Sequence, residues 1–563
     1  MELRKKNLHM MQKKSEAQNQ ITFDEDYNVP DQKADIGQII QKKGEVEIDQ
    51  VQVSEGKAVI QGQLVFRLLY VADNPGKTVS SLEGKLPIEE TLHLDKVQSG
   101  DKVCLKWEIE DLTIHLINSR KLNVKAIVEF LAVVDEEKQI SIPVELKGEE
   151  EISAKKNDPD WMREIRLKAL ETYEKLELPT WGPDLSELKM DEIATYVKPK
   201  SKLNSSWDDV PEDIKKTFDN LGIPEAEKKS LAGVGAQYDS EVVYHSIKED
   251  LLKQGVIYTD METAVREYPD LVREHFMKCV PINDHKFVAL HAAVWSGGSF
   301  VYVPKGVKVD IPLQSYFRLN SPESGQFEHT LIIVDEGASL HFIEGCSAPK
   351  YNKVNLHAGC VELYVKDNAY LRYSTIENWS KNMMNLNTKK AIVGKNAQID
   401  WVTGSFGSKV SMLYPMSILN GEGAKTEYTG ITFAGHGQDL DTGFKVVHNA
   451  PNTSSVVNSK SISKDGGACT YRALVRITEN AKNSKCSVSC ESLMLDDISR
   501  SDTIPVNDIR TDEVEFSHEA KIGKISDKEI FYLMSRGLSE EDAKAMIVRG
   551  FAYPISKELP VEY

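Results

Sequence analysis

Between residues 337 and 426 a pair of small residues opens a strand-like segment four times. The segments are Gly337-Ala338-Ser339-Leu340, Asn368-Ala369-Tyr370-Leu371, Asn396-Ala397-Gln398-Ile399 and Gly423-Ala424-Lys425-Thr426. Their alanines stand 31, 28 and 27 residues apart. A tight turn followed by a small inward residue, recurring at this period, is what stacked coils of β-strand require. The spacing predicts a β-solenoid over about 285–520, and a large β-sandwich is the other arrangement that would accommodate it.

The flanks read differently. Residues 1–28 are basic and polar without an apolar core, so they read as a disordered N-terminus and not as a secretory signal. From about 29 to 147 the chain alternates polar and apolar residues, with turns at Glu55-Gly56 and Asn118-Ser119, which predicts a small β-sandwich or barrel. Lys147–Pro159 is a charged linker, and residues 161–284 carry apolar residues at helical spacing, as in WMREIRLKALE, DDVPEDIKKTFDNLGI and METAVREYPDLVREHFMKCV. Residues 521–563 predict a helical hairpin. Ser526–Glu529 is a capping box, Gly537 stops the first helix, and Gly550 ends the second. The whole is mainly β and multidomain, as 563 residues demand. No stretch is long and apolar enough for a transmembrane helix, and the expected location is the cytoplasm.

A net charge of −18 argues against nucleic acid, whose phosphates need clustered Lys and Arg. The seven cysteines are scattered and contain no C-x-x-C pair, which speaks against a disulfide framework, a dedicated structural zinc site or a stable four-thiolate cluster of familiar spacing. Phosphate-loop, H-E-x-x-H and G-x-S-x-G signatures are missing, so an ATP-driven step would need another subunit and the chain reads as a non-enzyme. In KCSVSCESLML, alternation puts Val488, Cys490 and Ser492 on one strand face and Ser487, Ser489 and Glu491 on the other. His518-Glu519 follows about one coil later, so a thiol, an imidazole and a carboxylate could meet and hold iron loosely. Taken alone, a strand cysteine such as Cys490 or Cys346 is more often a small buried hydrophobe.

From about Asp158 onward, long segments carry a specific resemblance: KKNDPDWMREIRLKALE, LAGVGAQYDSEVVYH, AVWSGGSFVYVPKGVKVDIPLQSYFRLN, FIEGCSAP, HNAPNTSSVVNSKSISK and IFYLMSRGLSEEDAKAMIVRGF. They resemble the SufB family of iron–sulfur cluster assembly scaffolds. The resemblance implies a right-handed parallel β-helix, and partnership with a SufC-type ATPase, a SufD-type paralogue and a cysteine desulfurase or sulfur-transfer protein. It implies a transient iron–sulfur cluster, with reduced FAD as a further component of the complex. It assigns Cys490 as sulfur acceptor and cluster ligand, Glu519 as carboxylate ligand, His518 as the adjacent ligand, and Cys346 as persulfide receiver. Arg318, Asn320, Trp379 and Lys389 would line an otherwise apolar route between the thiols. The chain departs from the pattern at Glu377, often glutamine in the family, and at Ser517, where some members have Glu. It also stops at Tyr563, short of a last helix, so the ATPase-docking segment reads as truncated.

Residues 29–147 resemble SPOCS domains of spore-coat proteins through VPDQKADIGQIIQKKGEVEIDQVQV, SSLEGKLPIEE and EIEDLTIHLINSRKLNVKAIVEF. That resemblance implies protein–protein association, and a structural role in spore morphogenesis is the alternative function it raises.

Overall fold

The computed structural model describes residues 3–146, 150–199, 231–350 and 353–557. The chain divides into two compact units, Met1–Gly148 and Glu149–Tyr563.

The first unit is a sandwich of two antiparallel three-stranded sheets. One is ordered Leu3–Asn28, Lys121–Leu146, Val103–Asn118, and the other Ile36–Ser54, Lys57–Ala72, Val79–His93. Period-two patterning builds the core: Ile60, Leu64, Phe66, Leu68 and Tyr70 of one sheet join Leu122, Val124, Val128 and Phe130 of the other. Residues 3–28 are therefore not a disordered tail. They pair along Lys121–Leu146, and Ala17, Ile21, Phe23 and Tyr27, all at odd positions, turn onto the core. Apolar residues thinly spread through a polar segment concealed that strand. The turn expected at Asn118-Ser119 falls one residue later, at Ser119-Arg120, where the Arg120 guanidinium donates to the Val29 and Lys33 carbonyls.

In the second unit, the expected linker is partly structured. Glu150–Lys156 is helical, and the buried Lys156 ammonium pairs with Glu262 at 2.7 Å. The region expected to be helical is mixed. Helix Asp160–Lys175 packs on helix Lys286–Val294, but Gly233–Tyr238 and Glu241–Ile247 form a strand hairpin. METAVREYPDLVREH is split into Met261–Glu267 and Pro269–His275, because proline starts a helix but cannot continue one. DDVPEDIKKTFDNLGI lies outside the described residues.

Residues 300–524 form a β-solenoid of about eight turns. In its ten-stranded sheet, Leu313–Arg318, Ser339–Ser347, Tyr370–Trp379, Gln398–Gly407, Lys425–Ala434, Ser454–Ser463, Ser484–Met494 and Val514–Lys524 stack in parallel register. A thirteen-stranded sheet forms the facing wall. The repeat read from the sequence is the corner of each coil. Gly337, Asn368, Asn396 and Gly423 have positive φ, and the alanine after each is buried. Each of these residues donates its N–H to a carbonyl of the next coil, as Asn396 does to Glu422. Asn452 and Asn483 continue the ladder, followed by Thr453 and Ser484 where the earlier coils have alanine. Only Gly and Asn tolerate this left-handed conformation cheaply. Asn396→Val should thus cost about 1–2 kcal/mol, seen as a lower urea midpoint, whereas Asn396→Gly should be nearly neutral. Equal midpoints for the two variants would contradict this account of the corner.

The C-terminal hairpin comprises Asp527–Ser535 and Glu540–Ser556. Ser526 and Ser539 cap the two N-termini, and Gly537 (φ 97°) follows the first helix. The second helix does not end at Gly550. Phe551, Ala552 and Ile555 continue it onto Ile431 and Ile462, on the outer face of the ten-stranded sheet, and this packing outweighs the poor helix propensity of glycine. Among the described residues no helix is long and apolar enough to cross a membrane.

Candidate functional site

The solenoid interior is organised in rows, because residues in register on neighbouring strands stack. One row is aromatic, then aliphatic: Phe342, Tyr373, Trp401, Tyr428, Val457 and Val488. The next inward row runs Glu344, Thr375, Thr403, Gly430, Ser459, Cys490. Beside it lies Cys346, Glu377, Ser405, Thr432, Ser461, Ser492. Cys346 and Cys490 thus stand at opposite ends of a double stripe of hydroxyl, glycine and charged residues. Five strand spacings separate them, or about 24 Å.

Around Cys346 the interior is charged. Its thiol lies 3.9 Å from Glu344 Oε1. The buried Lys389 ammonium donates to Glu344 at 2.7 Å and to Thr375 at 3.2 Å, and sits 3.3 Å from Glu377. Tyr373 O–H donates to Glu344, Asn385 to Glu377 at 2.5 Å, and His357 bridges Asn385 and Glu328. Burial opposes the Lys389 charge, but Glu344 and Glu377 outweigh burial and hold the group protonated. Burial, with Glu344 and Glu377 adding to it, pushes the Cys346 thiol well above its ordinary value.

Cys490 is 3% exposed, with its Sγ 3.9 Å from His518 Nε2. Burial pushes its thiol up to about 12, partly offset by the neighbouring Tyr471 hydroxyl. Burial likewise lowers His518, so that its imidazole is neutral near pH 7 and offers a lone pair.

Cys490 and His518 are therefore brought together as expected, but Glu519 is not. It lies in register with Ser489 on the outward face and pairs with Lys521 at 3.1 Å in solvent. Trp379 packs in the apolar cluster of Cys346 and Met383, and its ring stacks near His357 at 4.6 Å. Arg318 aligns with Ser347, to which it donates at 3.2 Å, so alternation places it on the opposite face from Cys346. Asn320 is held through its backbone N–H by Asp239. The route expected to be apolar is instead hydroxyl-lined along one wall. Glu377, where the chain departs from the family pattern, is matched by Lys389. Sequence reasoning missed Glu344, Tyr471 and the Thr375–Thr403–Ser459 stripe. Their signal was the coil period itself, applied to hydroxyl residues and not only to the alanines.

Comparison with known proteins agrees with this architecture. Residues 317–551 match the SufBD core domain of the SUF system for FeS cluster assembly, and residues 144–315 match the SufBD N-terminal region. An iron–sulfur cluster assembly protein SufB of Bacillus subtilis is 54% identical over 414 residues, covering 74% of this chain and 89% of that protein. The chain belongs to the SufBD family. Iron–sulfur cluster assembly SufBD family proteins of Staphylococcus aureus are similar to the same extent, one of them 54% identical over 413 residues with 73% and 89% coverage. Residues 35–117 match the SipL SPOCS domain, so the SufBD portion carries a SPOCS-like sandwich at its N-terminus.

Proposed function

We propose that this SufBD-family chain is the scaffold on which sulfur is received at Cys346 and a transient cluster is built at Cys490. The observation that carries the reading is the pair of interior thiols joined by one polar stripe, each beside a group able to take its proton: Glu344 for Cys346 and His518 for Cys490. The Cys346 thiolate, freed by Glu344, attacks the outer sulfur of a donor persulfide and releases the donor thiol. A small thiolate carrier would take the outer sulfur, releasing the Cys346 thiolate, and yield it to the Cys490 thiolate, which frees the carrier again; hydroxyl and ammonium groups along the stripe would stabilise the anionic perthiolate. There, thiolate and imidazole hold iron by few ligands, which suits a cluster that must be released. Glu519 would complete the shell only after the last strand turns it inward.

Two surfaces support the partners that the family resemblance implies. The final strands leave Ile504, Val506, Ile509 and Ile522 exposed beside a sheet edge with no further strand among the described residues, a surface suited to a SufD-type paralogue that continues the sheet. The C-terminal hairpin exposes Phe531, Tyr532, Met534, Met546 and Tyr553, with a groove of about 440 Å³ beside Tyr532 and Ile547, apolar enough to seat a SufC-type ATPase. A cysteine desulfurase or sulfur-transfer protein supplies the persulfide. Converting each persulfide sulfur to cluster sulfide takes two electrons, a role that reduced FAD in the complex would fill.

The test is anaerobic reconstitution with iron and a cysteine-derived sulfur source, with and without the ATPase and paralogue. Wild type should develop a cluster chromophore and folded Cys490→Ala should not. Equal yields would overturn the proposal. The SPOCS-like unit supports a second role, attachment to a spore-coat assembly. Deleting residues 1–150 should then abolish localisation and leave the chromophore intact.

A further inference from the structure

On the outside of the solenoid wall, away from the interior thiols, His291, His329 and Cys360 converge. Their ligand atoms all lie within 4.8 Å of one another, and all three side chains are buried. His291 belongs to helix Lys286–Val294, while His329 and Cys360 begin neighbouring parallel strands and lie in register. They share the outward face with Leu331, Ile333 and Tyr364, beneath the helical cover. Neither the sulfur route nor the cluster site uses them.

One hydrogen bond fixes the His291 proton: Nδ1 lies 2.9 Å from the Ala358 carbonyl, which only accepts, so the proton is on Nδ1 and the lone pair on Nε2. That lone pair faces His329 Nδ1 at 3.0 Å. On the far side of the His329 ring, Nε2 is buried without a hydrogen-bond partner, 3.3 Å from Glu362 Oε2, whose carboxyl group accepts the backbone N–H groups of Met277, Cys279 and Val280. With the His329 proton on Nε2 the two lone pairs face each other and a cation belongs between them; with it on Nδ1 the histidines share an ordinary hydrogen bond. A thiol converging on the same point is the donor set of a metal, not of a shared proton.

We propose that His291 Nε2, His329 Nδ1 and Cys360 Sγ bind a divalent ion of the zinc class, held structurally and distinct from the transient cluster. Zinc at about 2.0 Å from nitrogen and about 2.3 Å from sulfur spaces its ligands about 3.3–3.6 Å apart, within a few tenths of an ångström of the observed nitrogen pair. The Ala358 carbonyl accepts from His291 as the outer groups of metal-binding histidines do. Such an ion would pin helix Lys286–Val294 to the solenoid wall.

The test is metal analysis of the full chain purified without chelator, followed by refolding with zinc or with cobalt. One ion per chain is expected, retained in Cys490→Ala and lost in Cys360→Ala, and cobalt should show thiolate-to-metal absorption. A wild type that holds no stoichiometric ion as purified, and gains none on refolding with zinc or cobalt, overturns the proposal and leaves the histidines sharing a proton. If Cys360→Ala fails to fold, the wild-type ion count and cobalt spectrum still decide. The Cys490→Ala arm separates this site from the cluster proposal, since either can fail while the other stands.

Discussion

Lys389→Ala should lower the stability of the solenoid by about 3–5 kcal/mol, the usual cost of removing one partner from a buried ionic set. Glu344 and Glu377 are each 0% exposed, and Lys389 is the cation held between them, so the truncation strands two carboxylates in the interior. The effect would be read as a fall in the urea midpoint at unchanged slope. Replacing Glu344 and Glu377 by glutamine in a Lys389→Met background should recover most of the loss, because charge and countercharge then leave together. Glu377→Gln alone should be mild, since Lys389 keeps Glu344. A Lys389→Ala loss below about 1 kcal/mol would show that water reaches these groups and that the stripe is open.

Thiol alkylation should divide the seven cysteines sharply. Cys104 is exposed, whereas Cys279, Cys346, Cys360, Cys469, Cys486 and Cys490 are buried. Burial raises Cys490 from 9.0 to about 12, which leaves about a thousandfold less thiolate at any pH below 9. Mass spectrometry of the native chain with iodoacetamide should therefore find Cys104 modified quickly and Cys490 at least a hundredfold more slowly. Fast labelling of Cys490 in the isolated chain would show that the last coils do not stay closed. The sign of the pH dependence follows. The unfolded chain loses this proton first, so the contribution to stability is complete below pH 9.0 and falls as pH rises toward about 12. On the proposed function, Cys490 is guarded at rest and would become a nucleophile or ligand when the strand above it moves.

The corners of the solenoid were legible because backbone geometry writes them in residue type: a Gly or Asn with positive φ, then alanine. The Cys490–His518 approach was legible for the same reason, since one coil of register separates them. Glu519 was not, because adjacent residues on a strand face opposite ways and a motif read as a string carries no facing. The strand at 3–28 was hidden by its polar outer face. The helix through Gly550 was hidden because its stability lies in Ile431 and Ile462, far back in the chain. The His291–His329–Cys360 group has no sequence signature at all, as a helix and two strands supply one residue each.

A stack of coils has two ends, and nearest-neighbour support is weakest there. Cys346 has coils on both sides, with Leu313–Arg318 and Tyr370–Trp379 flanking its strand. Cys490 has one strand, Val514–Lys524, between it and the edge of its sheet. Peeling that single strand would bare Cys490 and free Glu519 to swing inward while leaving the receiving thiol sealed. On the roles proposed above, the stack would give the two sulfurs separate access, one beside the edge strand and one between flanking coils.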